Sequence, residues 1–273
     1  MSNRLEGLDS LGRTFFGLAT MASGVQQLVT GDFVRLVPKL PAWVPAPSAW
    51  PYVVGVVLVA SGLAILTGRM ARTAAAIVAA MILVIVVVLY PPSMVANPLI
   101  DRPLLRGFMY TNPLKCLALV GGAAILLGGL PDEPSVLSPL VRAIGKLEPL
   151  GAVLLAIFLI VCGIQHFWYS PFVVTLVPAW LPARMFWTYF TGAALMAGGT
   201  GILIPRTSRL AATLSAIMIF LWVLLLHIPR AIVEPNHAFE TAGVFEALAL
   251  SGVALIVAGT RGPRPGVRAP GQM

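Results

Sequence analysis

Charge is scarce in this sequence. Only 10% of its 273 residues are Asp, Glu, Lys or Arg, whereas an ordinary soluble domain carries about a quarter. That shortage argues against a soluble fold. Histidine is scarcer still, at His166, His227 and His237. None of them falls in an H-x-x-x-H or H-E-x-x-H pattern, so the zinc-hydrolase helix is missing. The two cysteines, Cys116 and Cys162, form no C-x-x-C. This argues against a thiol–disulfide oxidoreductase and leaves them as small apolar fillers. No Gly-rich dinucleotide loop follows a strand, and no G-x-S-x-G occurs, so nicotinamide and hydrolase readings have no motif. The net charge is +8, but no basic patch interleaves with aromatics, which argues against a nucleic-acid partner.

What is present is apolar. The chain is 58% hydrophobic, its mean hydropathy is +0.92, and it carries many runs of about 18–20 apolar residues, enough to cross a bilayer as helices. A closed β-barrel would alternate apolar and polar residues, and runs such as Ile82–Leu89 do not. The sequence therefore predicts an all-α polytopic membrane protein. Eight spans are expected, at 12–31, 50–68, 71–90, 113–130, 148–169, 185–204, 208–228 and 242–260. The larger set of Lys and Arg, including Arg69, Arg72, Arg206 and Arg209, falls on the side that holds both termini. The positive-inside rule then places both termini in the cytoplasm. The acidic start of the chain makes a poor secretory signal and reads as mature protein.

The stretch 178–230 repeats the stretch 41–93 without a gap, about 137 positions on, at roughly two identities in five. Self-similarity on that scale sets architecture. Four spans per copy is an even number, so the copies enter the membrane the same way round, as parallel repeats. The expected organisation is two four-helix bundles. Residues 1–130 form the first repeat, 131–147 a cytoplasmic linker, 148–260 the second repeat, and 261–273 a disordered basic tail. The loops 31–49 and 170–185 each carry a Pro-Ala-Trp motif with Trp43 or Trp180. Trp50 and Tyr52, and Trp187 and Tyr189, follow at matching places. Aromatics at this level form an interfacial belt. The glycine-rich second helix of each copy offers small-x-x-x-small faces for close packing.

Polar groups inside a membrane are costly, so each is a candidate site. His166 ends the fifth span, His227 ends the seventh, and Glu246 lies in the second turn of the eighth. Topology brings all three to one depth near the outer face, with Arg230 and His237 just above. The first copy has Gln27, Tyr90 and Lys115 at the aligned places, which assigns the site to the second copy. Each residue also has a structural reading. His227 can snorkel to the interface and His166 can be a hydrogen-bonded packing residue. Glu246 requires a partner or a proton. Gln26 and Gln165 persist in both copies and are expected to bond between helices. No metal ligand set is assigned.

A first helix ending Gly163–His166, a loop Val177–Pro182, a glycine-rich helix Gly192–Gly201 and a third helix ending His227–Pro229 together resemble the DoxX-like family. The likeness covers most of 148–260 and, more weakly, 12–130. It implies a small multi-pass subunit of the cell membrane linked to quinone oxidoreductase chemistry, working with partner protein subunits rather than as a stand-alone enzyme. On that reading His166, His227 and Glu246 are catalytic, bonding a quinone head and relaying protons, while Trp187, Tyr189 and Arg230 help bind it. A non-catalytic membrane scaffold or assembly protein is the alternative, and a small-solute carrier is the third.

Overall fold

The computed structural model describes residues 5–33, 37–96, 103–234 and 238–260. No strand occurs among them. The tail 261–273 and His237 lie outside the described residues. The first half holds α1 (Leu5–Thr30), α2 (Trp50–Thr67), α3 (Ala71–Val84), α4 (Tyr90–Ala96) and α5 (Pro103–Gly129). A short α6 (Ser138–Gly145) leads into α7 (Glu148–Trp168), α8 (Ser170–Leu176), α9 (Arg184–Leu203), α10 (Ser208–Trp222), α11 (Ile228–Val233) and α12 (Ala238–Thr260).

Proline and glycine set the joins. Gly68, at φ +76°, ends α2 in the left-handed conformation that a side chain disfavours. α3 continues into α4, and α10 into α11, through single π-helical turns at Ile85–Leu89 and Val223–His227. Prolines follow each turn, at Pro91 and Pro92 and at Pro229. A proline donates no hydrogen bond to the carbonyl four residues back, and local widening to a π turn accommodates that loss. His227 is the last residue of the second such turn.

Six helical stretches among the described residues are long and apolar enough to cross a membrane: Trp50–Thr67, Ala71–Val95, Met109–Gly129, Glu148–Trp168, Ser208–Val233 and Glu240–Thr260. α1 and α9 fall short of the eight expected. α1 carries Asp9, Arg13, Gln26 and Gln27, and α9 is diluted by four glycines and three threonines.

The helices form a closed ring in the order α1, α2, α3, α5, α7, α9, α10, α12 and back to α1, and α5 touches α12 across the middle. This corrects the picture of two self-contained four-helix bundles. α1 packs on α12, the last helix of the chain, as extensively as on α2, and α7 packs on α5 as well as on α9. α5 and α12 thus each close onto the first helix of the other half. The contacts depend on missing side chains. A Cβ on Gly12 would stand 2.7 Å from the Gly252 carbonyl oxygen, and one on Gly151 would stand 2.5 Å from that of Gly121. Both are closer than real Cβ atoms approach oxygen, so both helix pairs meet backbone to backbone.

The segment read as a linker is an ordered clamp. Asp132 pairs with Arg72, and the Thr73 backbone N–H donates to Glu133 Oε1 at 2.8 Å. A carboxylate there satisfies an orphan donor in the first turn of α3 and complements the helix dipole. α6 then packs on α3 and α5.

Candidate functional site

On α7, Cys162, Gln165 and His166 follow at helical spacing and share one face, which Tyr169 at the C-cap extends. On α5, Gly107, Thr111 and Lys115 do the same. These two faces and α8 border a half-open cavity of about 190 Å³. Its wall is largely apolar, with Phe172, Val173 and Leu176 contributed by α8. Gly107 is required here, because a Cβ on it would stand 2.6 Å from the Tyr169 ring.

Most polar groups on the wall are already engaged. The Thr111 hydroxyl lies 2.7 Å from the Gly107 carbonyl and 2.8 Å from Gln165 Oε1. Gln165 Nε2 donates to the Gly107 carbonyl at 3.3 Å, so this glutamine does bond between helices as its sequence position suggested. The Tyr169 hydroxyl donates to the Pro103 carbonyl at 2.9 Å. His166 Nδ1 lies 2.8 Å from the Cys162 carbonyl. A carbonyl only accepts, so Nδ1 carries the hydrogen, and in the neutral ring Nε2 is left as an acceptor. The imidazole also stacks on Trp222, with centroids 6.1 Å apart.

Lys115 is the residue that sequence reasoning passed over. It is not among the candidate site residues of the sequence, yet its side chain is only 13% exposed and its Nζ lies 2.6 Å from Glu246 Oε2. Glu246 is 9% exposed, and its other oxygen is buried without a hydrogen-bond partner. The signal was available in the alignment of the two halves, which sets Lys115 opposite Glu246. A buried carboxylate needs a counter-charge, and its own aligned position supplies one.

The expected trio is therefore divided. His166 is on the cavity wall with Lys115. Glu246 stands behind Lys115, paired from α12. His227 lies against Gly243, one turn from Glu246 on the same helix, where a Cβ would stand 2.9 Å from Nδ1. No group of three His, Cys, Asp or Glu among the described residues is arranged to hold a metal. Trp187, Tyr189 and Arg230 do not line the cavity. Trp187 packs edge-on to Phe186 and Phe190. Tyr189 stacks on Phe167. Arg230 is held by Glu240 through two hydrogen bonds, of 2.8 and 2.6 Å. Nor does the second half hold the cavity alone, since α5 supplies one wall.

Residues 8–91 match the family model DoxX. Over that stretch the chain is DoxX-like, and its apolar helices are those of a membrane protein. Residues 155–255 match a different model, a domain of unknown function (DUF8561). No curated protein and no solved structure matches. The DoxX match thus falls on the half in which the sequence likeness was read as weaker. The cavity lies between α5, downstream of the DoxX-like stretch, and α7 and α8 of the other half.

Proposed function

We propose that this protein is a cell-membrane subunit that binds a quinone in the cavity between α5, α7 and α8. The observation that carries the reading is the wall itself. It is apolar apart from a few polar groups, and of these His166 Nε2, the Lys115 ammonium and the Asn112 carboxamide remain available to a ligand. That pattern, an apolar enclosure with few convergent polar groups, is the usual make-up of a small-molecule site. At about 190 Å³ it suits a ring-sized head with its tail led out into lipid, rather than a drug-sized molecule enclosed entirely. A quinone exchanges two electrons and two protons. Here the electrons come from a partner subunit, and the chain's own residues orient the head and hold the proton.

The same reading takes the ring as eight spans. α1 and α9 sit between neighbours that are apolar enough to span, and their exposed side chains include Leu11, Leu18, Phe186 and Phe190. It also takes the two halves as copies of one unit, with both termini in the cytoplasm. In support, the Gly12–Gly252 contact has its counterpart in Gly151–Gly121. Asp9 lies against Gly259 as Glu148 lies against Gly128, and the two π turns fall at matching places.

The test is mass spectrometry of lipids that co-purify with the protein in mild detergent, wild type beside His166→Ala. Retention of a quinone by the wild type and its loss from the variant is the expected result. Equal quinone in both, with both folded, would remove the cavity from the account.

A further inference from the structure

The arrangement of the free groups on the cavity wall says which form of ligand it favours. The titratable groups there are Lys115, Cys162, His166 and Tyr169, and Glu246 faces Lys115 from α12. The Tyr169 hydroxyl is committed to the Pro103 carbonyl. The Lys115 ammonium has three N–H groups, and the bond to Glu246 uses one of them. Beside the neutral Asn112 carboxamide, the cavity therefore offers one basic acceptor, His166 Nε2, and one cationic donor, Lys115 Nζ.

We infer that the cavity binds a ring hydroxyl, such as that of a quinol, and holds it as the oxyanion. This deepens the reading of the cavity as the quinone site and rests on it. In the bound state the ring O–H bond breaks and its proton passes to His166 Nε2. The oxygen keeps the electron pair and faces the Lys115 ammonium. No electron leaves the ligand in this step. The charges also balance. Lys115 and Glu246 cancel before binding, and the imidazolium and oxyanion cancel after it, so no net charge is added to an apolar site, where it would be costly. Without Glu246, the same cavity would hold an uncompensated cation before any ligand arrived. Glu246 is thus a positioning residue that keeps Lys115 buried and charged. Lys115 and His166 are the groups that meet the ligand.

The experiment uses 4-nitrophenol, whose ionised and neutral forms absorb at different wavelengths, with the purified full chain in detergent. The buffer is held about one pH unit below the midpoint of the free probe, where roughly nine-tenths of it is neutral. Wild-type protein is expected to raise the phenolate band saturably. Lys115→Met/Glu246→Gln removes the cation without stranding the carboxylate. It is expected to lose that band while its far-UV circular dichroism and unfolding midpoint stay close to wild type. His166→Phe should weaken binding about tenfold or more. A probe that binds as the neutral phenol, no binding at all, or a phenolate band that survives in the double variant would each overturn the inference. Co-purification separates this result from the quinone reading. Quinone in the preparation together with a neutral bound probe sinks only the ionised form. A Lys115-dependent phenolate band in protein that carries no quinone sinks only the quinone.

Discussion

Removing the amine of Lys115 should be among the most damaging single changes in the chain. The Lys115–Glu246 pair is nearly sealed, with side-chain exposures of 13% and 9% and a 2.6 Å contact. Lys115→Met keeps most of the aliphatic stem and strands the carboxylate, one oxygen of which already has no partner. Breaking a buried pair from one side costs about 3–5 kcal/mol. At about 1.4 kcal/mol per factor of ten, the folded-to-unfolded ratio should fall by at least two orders of magnitude. Lys115→Met/Glu246→Leu removes both charges, and such replacements are often neutral or stabilising. The double variant should therefore recover most of the loss. The assay is equilibrium unfolding in mixed micelles at rising denaturing-detergent fraction, read by far-UV circular dichroism, for wild type, both single variants and the double. A single-variant loss below about 1 kcal/mol would refute the reasoning, because it is the size expected of a solvated pair. A double variant as unstable as the sum of the singles would refute it too, because the two charges would then not be coupled.

The helix interfaces give a second set of outcomes in the same unfolding assay. Gly151→Ala places a Cβ 2.5 Å from the Gly121 carbonyl and should cost about 1–3 kcal/mol, the range for overpacking. Gly7→Ala, where nothing stands within 4 Å, should change stability by less than about 0.5 kcal/mol, as surface substitutions do. Glu133→Gln removes the charge but not the acceptor at the start of α3, and should cost about 0.3–1 kcal/mol through the helix dipole. Finally, residues 1–137 and 138–273 produced as two separate chains should co-purify as one complex. Each half alone should aggregate or associate with its own kind, because α1 would lack α12 and α7 would lack α5.

The reason the last outcome was not legible in the sequence is physical. Apolar runs, prolines and arginines located the helices, and the glycines located the faces that touch. None of these says which copy of a face is the partner. Gly12 fits Gly252 as Gly151 fits Gly121. If the halves are copies of one unit, a fourth helix closing on its own first helix would make the same kind of contact as one closing on the other half's. The exchange therefore leaves local patterning unchanged, as domain swapping does in general. What it changes is the middle, where α5 and α12 now touch. There the pattern does leave a mark, since the one aligned position at which the two central helices carry opposite charges is Lys115 and Glu246, 131 residues apart. Taken alone, Lys115 is one more basic residue that orients a helix. Read as the counterpart of a buried carboxylate, it predicts both the exchange and the cavity wall. His166 was found for the right reason, a polar group in an apolar helix. Its presumed companions were chosen by depth alone, which cannot say that the π turn sets His227 against Gly243 while α12 turns Glu246 toward the other half.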